Sequence, residues 1–478
     1  MTQHPLDFLF RPRSIALAGV SADASKPGPA QWYLMSLIKF GYRGKIYPLH
    51  PAGGEINGLK VYRNIAEIPG EVDYVVSAVS ARHTPQLIRD CAAKGVRAAH
   101  LFTSGYSEIE DSAGRQLEEE VLRIAGEGGV RLIGPNCMGI YCPSAGLTFA
   151  GEYPDQAGFP SLSGPLGLIS QSGGNCIYCI REASVRGLFF SKAISYGNAA
   201  DLNECDFLEY LTDDPDTEII AMYIEGIKDG ERFKQALRRA VKAKPVIIYK
   251  AGNTETGARA CVSHTSAIAG STIVWQTLFN QLGVIQVTGM SELVDISVTL
   301  AFMPVPSGRN VVVAGSGGGV GVQAADDVTA AGLHLPLLSA ELRRTLHGIY
   351  GTEAGSMFRN PVDIPPAGGK DHYIKSMQSI AESKDVDIII MQFPLDLWAL
   401  ARRSVLMGRF IEVVTALKES ISKPLAVVLH NSVTVQARRL EEEARAQFAE
   451  LGLPVYPSIS RAARAIDRYI RYSRWHGN

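Results

Sequence analysis

His264 is the first candidate in this sequence for a side chain that reacts. It lies in a segment of small and polar residues, 250–270, which follows the apolar run 245–249. The apolar run predicts a buried strand, and long loops at the strand ends of open α/β sheets commonly carry binding and catalytic residues. From spacing alone, His264 could instead cap the following helix or lie hydrogen-bonded in a turn.

A carboxylate is predicted at the same sheet edge as His264. The apolar run 218–224 indicates a strand, and Glu225 follows it directly. The carboxyl ends of parallel strands share one edge of a sheet, so Glu225 and His264 are expected there together. A carboxylate beside an imidazole orients the ring and favours its protonated or modified form. Glu225 could also be a solvated charge at a strand end.

Two glycine-rich turns, each between a predicted strand and a predicted helix, could bind phosphate. Their backbone N–H groups are exposed, and each turn offers the partial positive charge of a helix N-terminus. If both turns faced His264, they would neutralise a phosphoryl group on its imidazole without a cluster of lysines. Such turns also occur for packing alone. The candidate phosphate-binding residues are Ser172, Gly173 and Gly174 in the first turn, and Gly317, Gly318 and Gly319, preceded by Ser316, in the second.

Strand and helix patterns alternate along the whole chain, which predicts an α/β protein. For 478 residues, a norm of about 150 residues per domain predicts about three domains. A loop-rich connector at 146–165 and a proline-containing linker at 304–308 mark the boundaries. The predicted domains are 1–145, 146–304 and 305–478, and the first of them is Rossmann-like.

Small and polar residues cluster at the strand ends of the first predicted domain, where such sheets form a ligand crevice. The G-x-G-x-x-G fingerprint is absent after the first strand, so the standard dinucleotide mode is disfavoured. Lys26, beside the next helix N-terminus, could still hold a phosphate. The crevice residues are Gly19, Val20, Ser21, Val79, Ser80, Ser104, Gly105, Asn136 and Cys137.

Composition and charge argue against several classes of function. The net charge of −1 gives no argument for binding nucleic acid or an anionic membrane. No apolar run reaches the roughly 18 residues that span a bilayer, and no secretory signal is recognisable, so a cytoplasmic location is predicted. Cys176 and Cys179 have C-x-x-C spacing but fall within a predicted helix and lack a second pair, so packing is expected and no metal site is predicted.

Several short motifs follow one another in the order found in a known family. They are LDFLFRPRSIA at 6–16, IGPNCMGI at 133–140, ISQSG at 169–173, SYGNAAD at 195–201, YIEG at 223–226, KAG at 250–252, GARA at 257–260 and SHT at 263–265. With these motifs the chain resembles the α subunits of ADP-forming (nucleoside-diphosphate-forming) acyl-CoA synthetases of the succinyl-CoA synthetase superfamily. The resemblance implies a Rossmann-like CoA-binding domain followed by two flavodoxin-like domains.

The resemblance also implies roles for particular residues. The matching histidine of the family is transiently phosphorylated, so His264 would be a phosphohistidine whose imidazole Glu225 holds. The turn at Ser172 and Gly173 and the glycine turn of the third domain would cradle the phosphate. Coenzyme A would bind the first domain at the matching positions Gly19, Val20, Ser21, Lys26, Val79 and Ser80, and at His50, where the family commonly has asparagine.

The chemistry that the resemblance implies has three steps. Inorganic phosphate attacks the acyl thioester to give an acyl phosphate and free coenzyme A, His264 takes the phosphoryl group, and a mobile loop delivers it to ADP. The family's nucleotide site lies in an ATP-grasp domain, and neither that domain nor a P-loop is recognisable here. A separate ATP-grasp β subunit that binds ATP or ADP with Mg²⁺ is therefore expected, in an α2β2-type hetero-oligomer.

Three departures from the family pattern leave the acyl substrate open, and the first is His50 in place of the common asparagine. Ser266 stands where the family usually has glycine, and the third-domain turn reads GSGGGVG at 315–321 rather than NAGGPG. One alternative is a CoA-binding regulatory or scaffold protein that has lost catalysis, although a pure binder would need neither His264 nor Glu225. A Rossmann dehydrogenase is a more distant alternative, because the dinucleotide fingerprint is absent.

Overall fold

The chain divides into two compact units in the computed structural model. The first unit comprises residues 1–181 and 189–290, and the second comprises 182–188 and 291–478. The structure describes residues 4–23, 28–109, 111–149, 159–257, 259, 261, 271–315, 317–350, 357–364, 369–393, 395 and 403–477. Within these ranges, every helix is too short or too polar to span a bilayer.

A parallel sheet of five strands opens the first unit. The strands are β1 (Ser14–Ala18), β2 (Lys45–Leu49), β5 (Tyr74–Ser77), β6 (Ala98–Leu101) and β7 (Arg131–Ile133), beside a small hairpin of β3 (Gly54–Ile56) and β4 (Leu59–Val61). Their order is β2-β1-β5-β6-β7. Every residue of β1, β5 and β6 is buried, as expected when helices cover both faces of a parallel sheet. These helices are α1 (Asp7–Phe10), α2 (Pro29–Phe40), α3 (Thr84–Lys94) and α4 (Ser112–Gly128).

The first unit contains a second sheet, of six strands. They are β8 (Gly139–Tyr141), β9 (Leu166–Ser170), β10 (Phe190–Ser195), β11 (Ile219–Ile224), β12 (Val246–Lys250) and β13 (Ile285–Val287). The order is β13-β12-β11-β9-β10-β8, and only β8 among them runs antiparallel to its neighbour. The accompanying helices are α5 (Gly173–Ser184), α6 (Glu204–Asp213), α7 (Gly230–Ala243) and α8 (Thr272–Leu282).

The second unit contains the third sheet, which repeats this strand order. Its strands are β14 (Val311–Gly315), β15 (Met357–Phe358), β16 (Val362–Asp363), β17 (Ile388–Phe393), β18 (Leu425–Leu429) and β19 (Val455–Tyr456), ordered β15-β16-β14-β17-β18-β19. The helices are α9 (Met290–Phe302), α10 (Gly318–Ala330), α11 (Ala340–Tyr350), α12 (Gly369–Glu382), α13 (Arg403–Ser420), α14 (Val435–Glu450) and α15 (Ile459–His476). The prediction of an α/β protein is confirmed.

The strand order places the ligand crevice of each sheet. In each of the three large sheets, the parallel strands can be counted in chain order. The first of them lies between the second and the third, so the chain connections leave it in opposite directions. Ligands bind at such switch points, beyond the carboxyl ends of the two central strands. These strands are β1 and β5 in the first sheet, β9 and β11 in the second, and β14 and β17 in the third.

Helix α7 illustrates how the local sequence sets these elements. The Asp229 carboxylate accepts a hydrogen bond from the Arg232 N–H and caps the helix. Phe233, Leu237 and Val241 recur every four residues and are all buried. Burying one such side chain stabilises the fold by about 1.5 to 3 kcal/mol. This four-residue spacing of buried apolar residues accounts for the helix.

Candidate functional site

One cavity of the first unit joins the two groups of residues that the sequence singled out. Its volume is about 640 Å³, which lies in the range of small-molecule sites. Ser80, Ser104, Asn136 and Cys137 from the ends of the first sheet line it, together with Ser172, Gly173 and Gly174 from the first glycine turn. Six further residues complete the lining: Ala81, Phe102, Thr103, Met138, Gln171 and Gly197.

The first glycine turn, 171–174, connects β9 to α5. The Ser172 hydroxyl accepts a hydrogen bond from the Asn175 N–H at 3.3 Å and so caps the helix. None of the described residues accepts a hydrogen bond from the N–H groups of Ser172, Gly173 or Gly174. A Cβ atom on Gly173 would lie 2.8 Å from the Met138 Cγ, so only glycine fits here without movement. The turn therefore offers a cluster of open donors at a helix N-terminus, which suits an oxyanion.

Glu225 follows β11, the strand next to β9, and is 4% exposed. Its backbone N–H donates to the Gln171 Oε1 at 2.8 Å, and its Oε1 accepts from the Tyr223 hydroxyl at 3.1 Å. Burial and, secondarily, the Glu225 charge raise the pKa of Tyr223, which stays a hydrogen-bond donor at neutral pH. The backbone of Glu225 is thus held at Gln171, the first residue of the glycine turn, and its carboxylate is held by Tyr223.

Lys250 ends β12 and is buried at the start of the segment that carries His264. Its Nζ donates to the Glu225 carbonyl oxygen at 2.7 Å and also to the Ala251 carbonyl oxygen. The Ala251 N–H donates to the Ile224 carbonyl oxygen at 2.9 Å, so the segment leaves the sheet beside the end of β11. Burial lowers the pKa of Lys250. His264, Ser266, Lys26 and Ser316 lie outside the described residues.

The predicted crevice residues divide into two groups. The N–H groups of Gly19 and Val20 both donate to the Leu49 carbonyl oxygen, at 2.9 and 3.0 Å, and the Gly105 N–H donates to the Glu108 Oε1. The backbone N–H groups of these three residues therefore already have acceptors within the chain. Gly19, Val20, Ser21, His50, Val79 and Gly105 do not line the 640 Å³ cavity, whereas Ser80, Ser104, Asn136 and Cys137 do.

The part of the cavity wall formed by residues 136–138 contacts a buried histidine. The His100 Nε2–H donates to the Cys137 carbonyl oxygen at 2.9 Å. Burial lowers the pKa of His100 to about 4, so the ring is neutral at pH 7. Burial also raises the pKa of the Cys137 thiol, which makes it a poor nucleophile. Cys176 and Cys179 are buried in α5 and form no disulfide.

The second glycine turn, 315–319, lies in the second unit and differs from the first. The Gly317 N–H donates to the Asp363 Oδ1 at 3.1 Å. Gly315 and Gly317 line a smaller cavity of about 220 Å³, and both Asp326 and Asp363 also line it. The Gly317 N–H, which the sequence assigned to phosphate, therefore already has an acceptor within the chain.

The sequence assigned no role to three residues that position parts of these sites, namely Gln171, Lys250 and Asp363. Gln171 and Lys250 do stand inside motifs of the family pattern, ISQSG and KAG, so those motifs were the available signal. Asp363 is far from Gly317 along the chain, and no local pattern connects the two residues.

Known proteins are similar to this chain over its whole length. A CoA binding domain model matches residues 13–143, and a succinyl-CoA ligase like flavodoxin domain model matches 163–300. The α subunit of acetate–CoA ligase [ADP-forming] I from Pyrococcus furiosus is 35% identical over 479 residues, with 98% of each chain covered. This chain belongs to the family of ADP-forming acyl-CoA synthetase α subunits.

Two further similar proteins agree with the assignment. The dinucleotide forming acetyl-coenzyme A synthetase 1 of Candidatus Korarchaeum cryptofilum, solved with phosphate and ADP, superposes with a TM-score of 0.81 at 31% identity, covering 99% of this chain and 97% of that one. Acetate–CoA ligase [ADP-forming] I from Archaeoglobus fulgidus is 30% identical over 472 residues, which are 98% of this chain but 64% of that longer protein. The predicted family and its fold, a CoA-binding domain followed by flavodoxin-like domains, are confirmed.

Proposed function

We propose that this chain is the α subunit of an ADP-forming acyl-CoA synthetase that interconverts acyl-CoA, ADP and phosphate with a carboxylic acid, coenzyme A and ATP. The observation that carries the proposal is the single cavity of about 640 Å³ shared by strand ends of the CoA-binding sheet and the first glycine turn. A thioester and a phosphate held in one cavity can react directly, because proximity supplies much of the rate enhancement.

The first glycine turn is the proposed phosphate site. Its N–H groups and the N-terminus of α5 would stabilise the charge of inorganic phosphate without lysines. The open donors of Ser172, Gly173 and Gly174 support this assignment. Gly317, Gly318 and Gly319 would contribute to phosphate binding only if Asp363 released the Gly317 N–H.

Coenzyme A is proposed to lie along the carboxyl edge of the first sheet. Ser80, Ser104, Asn136 and Cys137 would contact its thiol end, because they line the cavity. The proposed sites for the rest of the molecule are Gly19, Val20, Ser21, Lys26, His50, Val79 and Gly105. The first domain, 1–145, would thus supply coenzyme A, and the domains 146–304 and 305–478 would supply phosphoryl transfer.

His264 is proposed to take the phosphoryl group from the acyl phosphate. Support comes from the segment that carries it, which starts beside Glu225, since Ile224 and Lys250 are paired across neighbouring strands. The Glu225 carboxylate would hold the imidazole in the orientation for attack and stabilise the charge that develops on the ring.

A separate ATP-grasp β subunit is the proposed partner, in an α2β2-type hetero-oligomer. The P. furiosus relative is named as a subunit α, and the A. fulgidus relative extends beyond the region that this chain matches. The partner would bind ATP or ADP with Mg²⁺ and receive the phosphoryl group from His264.

Turnover tests the proposal. The chain is combined with an ATP-grasp β subunit, ADP, phosphate and Mg²⁺, and ATP formation is measured with acetyl-CoA, butyryl-CoA and phenylacetyl-CoA. We expect ATP formation with at least one thioester and none with His264→Ala. Binding of coenzyme A without any turnover would favour the alternative of a regulatory or scaffold protein.

A further inference from the structure

Residues 136–138 line the cavity between the strand ends of the first sheet, where coenzyme A is proposed to bind, and the first glycine turn. At one end, the Asn136 N–H donates to the Thr103 carbonyl oxygen at 3.1 Å, next to Ser104. At the other end, Met138 packs against Gly173 and its N–H donates to the Ser195 Oγ at 3.1 Å. Asn136 therefore lies on the wall between the two reactants of the proposed first step.

The backbone of Asn136 is fixed in an uncommon conformation. Its φ is +58°, in the left-handed region, which asparagine tolerates better than most residues do. The preceding Pro135 carbonyl oxygen accepts from the Asn198 N–H at 3.0 Å. A Cβ atom on Gly197 would lie 2.2 Å from that same oxygen and 2.5 Å from the Asn136 carbonyl oxygen. Gly197 thus packs closely against the Pro135 and Asn136 carbonyl oxygens and leaves no room there for a side chain.

The Asn136 side-chain amide is available to a ligand. Asn136 is half-buried in the cavity lining, and its amide makes no hydrogen bond with any residue that the structure describes. The side-chain amide of the nearby Asn198 is instead engaged within the chain, because its Nδ2–H donates to the Glu108 Oε2 at 2.6 Å. An amide Nδ2 carries two N–H donors, so Asn136, as a residue of the cavity lining, can offer them to a bound ligand.

We propose that Asn136 is a catalytic residue whose Nδ2–H donates to the carbonyl oxygen of the acyl thioester. The inference rests on the proposed function and concerns its first step. A phosphate oxygen forms a bond to the carbonyl carbon, and the π electrons move to the carbonyl oxygen, which Asn136 stabilises as an oxyanion. The C–S bond then breaks, coenzyme A leaves as a thiolate, and the proton of HPO₄²⁻ converts it to the thiol.

The role predicts a loss of rate rather than of binding. Removing one oxyanion donor typically lowers kcat by about 100- to 1,000-fold. The donor acts mainly on the transition state, so the KM for acyl-CoA should stay within about threefold. Phosphorylation of His264 by ATP does not involve the thioester and should be unaffected.

Asn136→Gly tests the proposal, because glycine adopts a positive φ without strain. Asn57→Gly is the matched control, since Asn57 also has a positive φ, of +50°, and is exposed on the β3–β4 hairpin. Each variant is assembled with the β subunit and assayed for arsenate-dependent release of coenzyme A from acetyl-CoA, butyryl-CoA and phenylacetyl-CoA. Labelling of the chain by [γ-³²P]ATP and Mg²⁺ is measured in parallel.

We expect Asn136→Gly to lower the arsenolysis kcat by about 100-fold or more, with labelling by ATP retained, and Asn57→Gly to match the wild type. Arsenolysis within about threefold of wild type would overturn the inference, as would a raised KM with an unchanged kcat, which would make Asn136 a coenzyme A contact only. A wild-type complex that neither releases coenzyme A nor is labelled by ATP would refute the proposed function itself.

Discussion

The two glycine turns look alike in the sequence, yet they offer a phosphate different surroundings. In the first turn, no described residue accepts from the N–H groups of Ser172, Gly173 and Gly174, and the turn opens on the 640 Å³ cavity. In the second turn, the Gly317 N–H donates to Asp363. The first turn is therefore the better candidate for binding an anion.

Charge strengthens this difference. A phosphate at the second turn would have to displace the Asp363 carboxylate and would remain close to Asp326, which lines the same small cavity. Like charges within one small cavity repel each other. The dipole of helix α10 also already stabilises the Asp363 carboxylate. The first turn should therefore carry phosphate binding almost alone.

Matched alanine substitutions in the two turns should give the largest contrast. A Cβ on Gly173 would meet the Met138 Cγ at 2.8 Å at the edge of the cavity, whereas a Cβ on Gly319 would meet no atom within 4 Å. We expect Gly173→Ala to lower kcat/KM for phosphate by about 10- to 100-fold, since small displacements cost much rate. For Gly319→Ala, kcat/KM for phosphate should stay within about twofold of the wild-type value. This substitution should also stabilise α10 by up to about 1 kcal/mol.

Steady-state kinetics with varied phosphate, and thermal unfolding of both variants, check this contrast. Equal losses of activity from Gly173→Ala and Gly319→Ala, with both variants folded, would show that the two turns share the phosphate.

Acid should lower the stability of the protein by protonating His100, which contacts the wall of the first cavity. The folded pKa of His100 is about 4 against an ordinary value of 6.5, so the unfolded chain binds the proton more tightly. The contribution of neutral His100 to stability is thus complete above pH 6.5 and is lost as the pH falls towards 4. At pH 4.5 we expect a loss of about 2 to 3 kcal/mol in the free energy of unfolding.

Urea unfolding of the wild type and of His100→Gln at pH 7.5 and 4.5 measures this contribution. The wild type should lose more stability than His100→Gln over this interval. Parallel losses in the two proteins would show that His100 does not account for the acid sensitivity of this wall.

Removal of the carboxylate at the second turn should have the smallest effect. Asp363→Asn keeps an oxygen that can accept from the Gly317 N–H but removes the charge. We expect the KM for phosphate to change by less than about twofold, because the proposed phosphate lies at the other turn. Asp326→Asn, which alters a charge of the same cavity, is the control. A fivefold fall in KM for Asp363→Asn alone would place phosphate at the second turn.

Apolar runs and the residues after them predicted the strand ends well. The predictions that Ser172 and Glu225 each follow the end of a strand are confirmed, because buried parallel strands are continuous apolar runs with a recognisable end. The pairing of these two strands, β9 and β11, as parallel neighbours comes from the structure. Strand β8, of three residues, was not predicted, since so short a run carries no periodic signal.

The contrast between the two turns could not be predicted from the sequence. It depends on single hydrogen bonds between distant residues, such as that from Gly317 to Asp363. It also depends on the lack of such an acceptor for the Gly173 N–H among the residues that the structure describes. The cavity wall at Asn136 likewise depends on Thr103 and Asn198, which come from other loops. The roles of His264, Ser266 and Lys26 stay predictions.

The most direct test of the account is the fate of labelled inorganic phosphate. The complex is incubated with ³²P-phosphate and an acyl-CoA that it turns over, without nucleotide, and acid-labile, alkali-stable label on the chain is measured. We predict label on the wild type and on Gly319→Ala, strongly reduced label on Gly173→Ala, and none on His264→Ala. Undiminished label on His264→Ala would contradict the phosphohistidine route.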